Sequence, residues 1–125
     1  VGTLYGAAAE FLRTRFGGEL TESSDNPVVG TSASLLVASN PDRLLLQLIN
    51  LSGNVIYIGL DETTSATKGI RLDSNGGGVS LSVEDDGMLT TRQWFALASG
   101  AGSQSYVLEM SRFISDEQLV TEEAE

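Results

Sequence analysis

Neither histidine nor cysteine occurs among the 125 residues. Without histidine, no Ser-His-Asp arrangement can form within the chain. Without cysteine there is no disulfide, no thiolate metal site and no cysteine nucleophile, and the redox compartment stays undetermined. Lysine is almost as scarce. Lys68 stands alone in a polar, Thr-rich loop, so a Ser-Lys pair would have to use it, and no recognisable motif surrounds it. No run approaches the roughly 18 apolar residues of a membrane span, and no basic-then-apolar signal segment opens the chain. The chain begins at Val1 rather than Met, which leaves room for an initiator or leader upstream.

Positive charge is the next shortage. Arg13, Arg15, Arg43, Lys68, Arg71, Arg92 and Arg112 face 17 acidic residues, giving a net charge of −10. Affinity for phosphates comes from Lys and Arg neutralising them, so nucleic acid is not an expected partner. An acidic membrane leaflet is an equally poor one.

What is present suits a single globular domain: 41% hydrophobic and 19% charged residues, with fourteen glycines against two prolines. Thr3 to Phe16 reads as a helix. Thr3 can cap it, Leu4, Ala8, Phe11, Leu12 and Phe16 recur at helical spacing, and Gly17-Gly18 ends the pattern. Gly6 weakens it by about 1 kcal/mol relative to alanine. One apolar stripe must pack on something, either its own domain or a neighbouring subunit. Glu19 to Pro27 is polar and reads as an extended linker, so the helix sits on a tether.

From Val28 onward the period is two. Strands are predicted at Ser34–Ala38, Arg43–Leu51, Val55–Leu60, Ile70–Leu72, Val79–Val83, Met88–Ala98 and Gln104–Phe113. The stretch from Asn40 to Leu60 predicts a hairpin, with Ser52-Gly53-Asn54 as its tight turn. Its first strand is apolar on both sides: Leu44, Leu46 and Leu48 on one, Leu45, Ile49 and Leu51 on the other. Such a strand is expected to be covered on both sides. Turns are predicted at Asp73 to Gly78, at Asp85-Asp86-Gly87 and at Ser99 to Ser103. Short strands at this spacing suggest a sandwich or small barrel. Ser115 to Glu125 reads as an acidic, frayed tail.

Candidate chemistry is thin. Asp61-Glu62 and Glu84-Asp85-Asp86 could do acid–base work or bind calcium, but neither has the alternating spacing of a calcium loop. Both sit where a strand gives way to a turn, the ordinary place for solvated charge. Gly76-Gly77-Gly78 lacks the G-K-[ST] ending of a P-loop and precedes a strand, so it reads as a loop. Trp94 with Phe95, Tyr57 and Tyr106 are the aromatic resources. An exposed tryptophan on a sandwich can stack on a sugar, but alternation groups Trp94 with Arg92 and Ala96, which favours core or interface. The predicted catalytic, metal and cofactor sets are empty.

From Asn40 to about Phe113 the chain resembles small virion proteins of tailed bacteriophages. The matching features are Asn40-Pro41-Asp42-Arg43 before an apolar strand ending at Asn50, then Tyr57-Ile58-Gly59 and Gly69-Ile70-Arg71-Leu72. Gly76-Gly77-Gly78, Phe95-Ala96-Leu97 before Ser99-Gly100, and Val107-Leu108-Glu109 complete the succession. These are turn and strand signatures that cover roughly 60% of the chain. The resemblance implies a capsid decoration (cement) protein, or a small head–tail or spike component, usually oligomeric. A virion interior packed with phosphate would repel a net charge of −10, which favours the outer surface.

The expectation is therefore a mainly β protein: an antiparallel β-sandwich or small barrel (residues 28–114) with an N-terminal helix and arm (1–27) and an acidic tail (115–125). It is expected to be non-enzymatic and to bind the major capsid protein on the outside of the shell. Self-association is expected too, as a homotrimer by resemblance. Leu4, Phe11, Leu12 and Phe16 are the expected partner-binding residues. Alternatives are a neck, collar or tail component, or a carbohydrate-binding adhesion module.

Overall fold

The alternating pattern folds as two antiparallel sheets packed face to face. The computed structural model describes residues 14–15 and 17–113. The strands are β1 (Glu19–Asp25), β2 (Val28–Val29), β3 (Ser34–Val37), β4 (Arg43–Asn50), β5 (Ile56–Gly59), β6 (Ile70–Leu72), β7 (Gly78–Ser82), β8 (Trp94–Ala98) and β9 (Ser103–Phe113). The first sheet has the order β1-β9-β4-β7, with β2 following β1 along the same side of β9. The second has the order β3-β8-β5-β6. The fold is a mainly β, antiparallel sandwich.

Between the sheets lies one core. Leu46 and Leu48 of β4, Leu81 of β7 and Val107 of β9 come from the first sheet, with Val29 beside them. Ile56, Ile58, Leu72, Trp94, Ala96 and Ala98 come from the second, with Val37 at its edge. Leu46, Ile56 and Ile58 have no exposed surface. Removing apolar surface of this kind from water is the main term favouring the folded chain.

The stretch read as a hairpin is instead a crossing between sheets. β4 pairs with β7 and β9, whereas β5 pairs with β6 and β8. Ser52-Gly53-Asn54 carries the chain over, and the fully buried Asn50 holds the crossing. Its side-chain amide donates to the carbonyls of Asn54, Leu72 and Asp73. Its carbonyl accepts from the backbone N–H and the hydroxyl of Ser52. A buried amide with partners on both sides of a turn fixes where the chain leaves one sheet for the other.

Two further readings are corrected. Glu19 to Asp25, read as a linker, is an edge strand in register with β9 from Glu19↔Phe113 to Asp25↔Val107. Pro27 interrupts it, lacking the N–H a ladder needs. Asn26 donates from its side chain to the Ser105 carbonyl at that break. The long strand read over Met88–Ala98 begins only at Trp94. Before it lie a short helix, α1 (Val83–Asp86), and a 3-10 turn (Gly87–Thr91). Ser82 caps α1 by accepting from the Asp85 N–H, and Gly87 ends it at φ 59. Of the predicted N-terminal helix, only Thr14 and Arg15 are described. The remainder of the helix and the acidic tail lie outside the described residues, as do Leu4, Phe11, Leu12 and Phe16.

Candidate interaction surfaces

Each acidic cluster is occupied with local structure. Asp61 accepts from the N–H and hydroxyl of Thr63, and Lys68 lies 3.8 Å away. The Thr63 hydroxyl, then its N–H, hold the Asp61 carboxyl below its ordinary range, with the Lys68 charge adding to the effect. Asp86 accepts from the Ser82 N–H, and Asp85 from the Ser82 hydroxyl. Glu84 pairs with Arg15. Among the described residues, no group of three or more acidic side chains is placed to hold a metal ion.

The glycine-rich turn likewise spends its amides on itself. The Gly76 N–H donates to the Asn50 carbonyl and the Gly77 N–H to that of Asp73. A side chain at Gly77 would meet the Asp73 backbone at 2.4 Å, so glycine is required there by close approach of the chain to itself. A phosphate would find these two donors taken.

A cleft of about 360 Å³ opens beside β3 and β9, with Arg43 and Glu109 in its lining. Arg43 is 2% exposed. Its Nε donates to Glu109 Oε1 at 2.7 Å, and its Nη1 to the carbonyls of Thr90 and Arg92. Its Nη2 donates to the Ala38 carbonyl and lies 2.6 Å from Glu109 Oε1. Five N–H groups thus meet five contacts, leaving nothing for an anion. Arg43 belongs to the first sheet, while Ala38 follows β3 and Arg92 precedes β8. The guanidinium is a clasp between the sheets.

Trp94 is 4% exposed, and its indole N–H reaches the Leu89 carbonyl at 3.3 Å. It is a core residue and offers no sugar platform. The 3-10 turn supplies the carbonyl that a buried indole requires.

The outer side of each sheet carries a second apolar row, half-buried for the most part. On the first, β4 turns Leu45 and Ile49 outward, cross-strand from Met110 and Tyr106 of β9. Leu108 stands opposite Gln47 between them. Val28 and Leu51, at the far end of this face, are exposed. On the second sheet, Leu35 pairs with Phe95 and Tyr57 with Leu97. Leu35 is 53% exposed. Both outer faces are apolar where an ordinary sandwich alternates to polar. Sequence reading placed Leu45 and Ile49 together on one side of β4 but missed Tyr106, Leu108 and Met110, which carry the same alternation in Gln104–Phe113.

Comparison with known proteins gives a fold and no family. No family model and no curated protein matches the chain. Among solved structures, a subunit of Bacillus endospore appendages, described as a novel family of disulfide-linked pili, aligns over 77% of this chain and 88% of its own with a TM-score of 0.50. Identity is 11%. The likeness is one of fold. Two dTDP-4-dehydrorhamnose 3,5-epimerases, from Elizabethkingia anophelis and Bacillus anthracis, align at 14% identity over 88% of this chain, with TM-scores of 0.29 and 0.28. They cover 61% and 63% of their own chains, and at those scores they carry no argument.

Proposed function

We propose that the chain is a non-enzymatic structural subunit of a phage virion, attached to the outer capsid surface as a decoration protein. The observation that carries this reading is the pair of apolar outer sheet faces on a sandwich whose core is already filled. Apolar surface in excess of the core is material for assembly, and stacking β-faces is the contact such surface makes best. The turn and strand signatures from Asn40 to Glu109 supply the phage part of the reading, and the net charge of −10 supplies the outer location. A protein that binds only the assembled shell stabilises it by mass action and needs no chemistry of its own.

The partners are then the major capsid protein and further copies of this chain, in a small ring that family resemblance makes a trimer. Immunogold labelling of intact particles tests the location. Label spread over the head supports decoration, and label confined to the neck or tail favours the neck, collar or tail alternative. Unlabelled particles known to contain the protein would overturn the outer placement. The adhesion-module alternative loses its main support with Trp94 in the core.

A further inference from the structure

We propose that a second copy of the chain adds its β6 to the free side of β3 and seats its Ile70 in the cleft beside that strand. This inference rests on the self-association in the reading above and names the surfaces that carry it. Strand β3 has the composition of a central strand in an edge position. Residues 44–60 and 93–108 contain no charge, and they hold β4, β5, β8 and most of β9, each paired on both sides. Residues 26–41 contain no charge either, yet among the described residues β3 pairs only with β8. Edge strands are commonly guarded against further pairing by charged side chains, as β1 is by Glu19, Glu22 and Asp25. Ser34, Leu35, Leu36 and Val37 carry no such guard, and Leu35 is exposed.

The other edge of the same sheet, β6, suits this one. All three pairings in the order β3-β8-β5-β6 are antiparallel, so β3 and β6 run in opposite directions. A neighbour rotated about an axis along the strands therefore brings its β6 antiparallel to β3. A ring of three needs two different edges that match, because an edge that pairs with itself stops at a dimer. Arg71 of β6 stands cross-strand from Tyr57 and pairs with Asp73, so its charge stays on the outer side of the sheet. Ile70 stands cross-strand from the fully buried Ile58, on the inner side, yet it is 45% exposed. The cleft is its counterpart. Leu36 and Val37 of β3 line it on one side, and Val107, Pro27 and Asp25 line it on the other. The first sheet thus reaches past β3, and a strand added to β3 lies beneath that overhang with its inner side chain in the cleft. An apolar knob on one edge meets an apolar hole on the opposite edge.

Single cysteines test the pairing without background, since the chain has none of its own. Leu35→Cys and Arg71→Cys, both at exposed positions on the outer side of the second sheet, are mixed, mildly oxidised and resolved by mass. The mixed disulfide should form at least about tenfold faster than either self-disulfide, since docking raises the effective concentration of the pair. In sedimentation velocity, Ile70→Glu should raise the dissociation constant for self-association by about tenfold or more, because it carries a carboxylate into the cleft. Met88→Glu, at an exposed residue of the 3-10 turn outside both edges, should leave it unchanged. An excess of the Leu35→Cys self-disulfide, which marks two-fold pairing, would overturn the proposal. Absence of the mixed disulfide, or Ile70→Glu associating like the unaltered protein, would overturn it as well. Binding to capsids is scored separately, so a protein that attaches without forming the mixed disulfide rejects this interface and leaves the virion reading standing. Circular dichroism of each variant confirms that the sandwich is present.

Discussion

At the scale of single residues, the molecule rests on a few polar groups placed where side chains are usually apolar. Arg43 is the foremost. Replacing it with Met would leave the carbonyls of Ala38, Thr90 and Arg92 and the Glu109 carboxylate without their donor. Removing one partner of a buried ion pair typically costs about 3–5 kcal/mol, and urea denaturation of Arg43→Met should show a loss of that order. A change under about 1 kcal/mol, the range of an exposed pair, would show that the clasp does not join the sheets. Trp94 gives a second check: its emission should be blue-shifted and resist acrylamide quenching until the chain unfolds. Asp61 gives a third. A depressed carboxyl contributes stability above its unfolded pKa, and the contribution is lost as pH falls through the folded value. The Thr63 amide resonance should therefore titrate with a midpoint below the ordinary value of about 3.9. A midpoint at or above that value would mean the Thr63 contacts are absent in solution.

At the scale of elements, the legible and illegible parts of the sequence separate on physical grounds. Strands buried on one side announce themselves by alternation, so β3 to β9 lie close to their expected bounds, with β8 shortened by its 3-10 turn. β1 did not, because an edge strand that is solvated on both sides needs no apolar series. Thr21 to Asp25 is polar throughout, and such polar edges discourage sheets from adding to one another. Turn signals are local too. Ser52-Gly53-Asn54 marks a reversal truthfully, but which strand pairs with which is decided by the distant β7, β8 and β9. Arg43 and Asn50 read as the start and end of a strand, and nothing in their neighbourhood marks them as the polar anchors of the core. The consequence for truncation is direct. A deletion of residues 1–13 should leave the cooperative unfolding transition in place. A deletion through Pro27 removes β1 and uncovers β9, so that protein should aggregate in gel filtration. If the longer truncation remained monomeric and equally stable, β1 would be an ornament of the sheet rather than its guard.

At the scale of the whole molecule, surfaces decide the behaviour. The sandwich fills its own core and still turns apolar rows outward on two opposite sides. The second sheet, where exposed Leu35 stands cross-strand from Phe95, is the face we propose for the shell, and Phe95→Asp should weaken attachment while leaving the core unchanged. Burying an unpaired carboxylate at such a contact is expected to lower affinity by about tenfold or more. Unaltered attachment of a folded Phe95→Asp protein would move the contact elsewhere.

Lattice-wide attachment to a capsid, as proposed, is read out by saturation binding. Purified protein is titrated onto expanded capsids prepared without it, sedimented, and counted per particle. A decoration protein should reach a plateau at hundreds of copies. A plateau at about a dozen would place the protein at the neck or tail, and no co-sedimentation at all would contradict the claim.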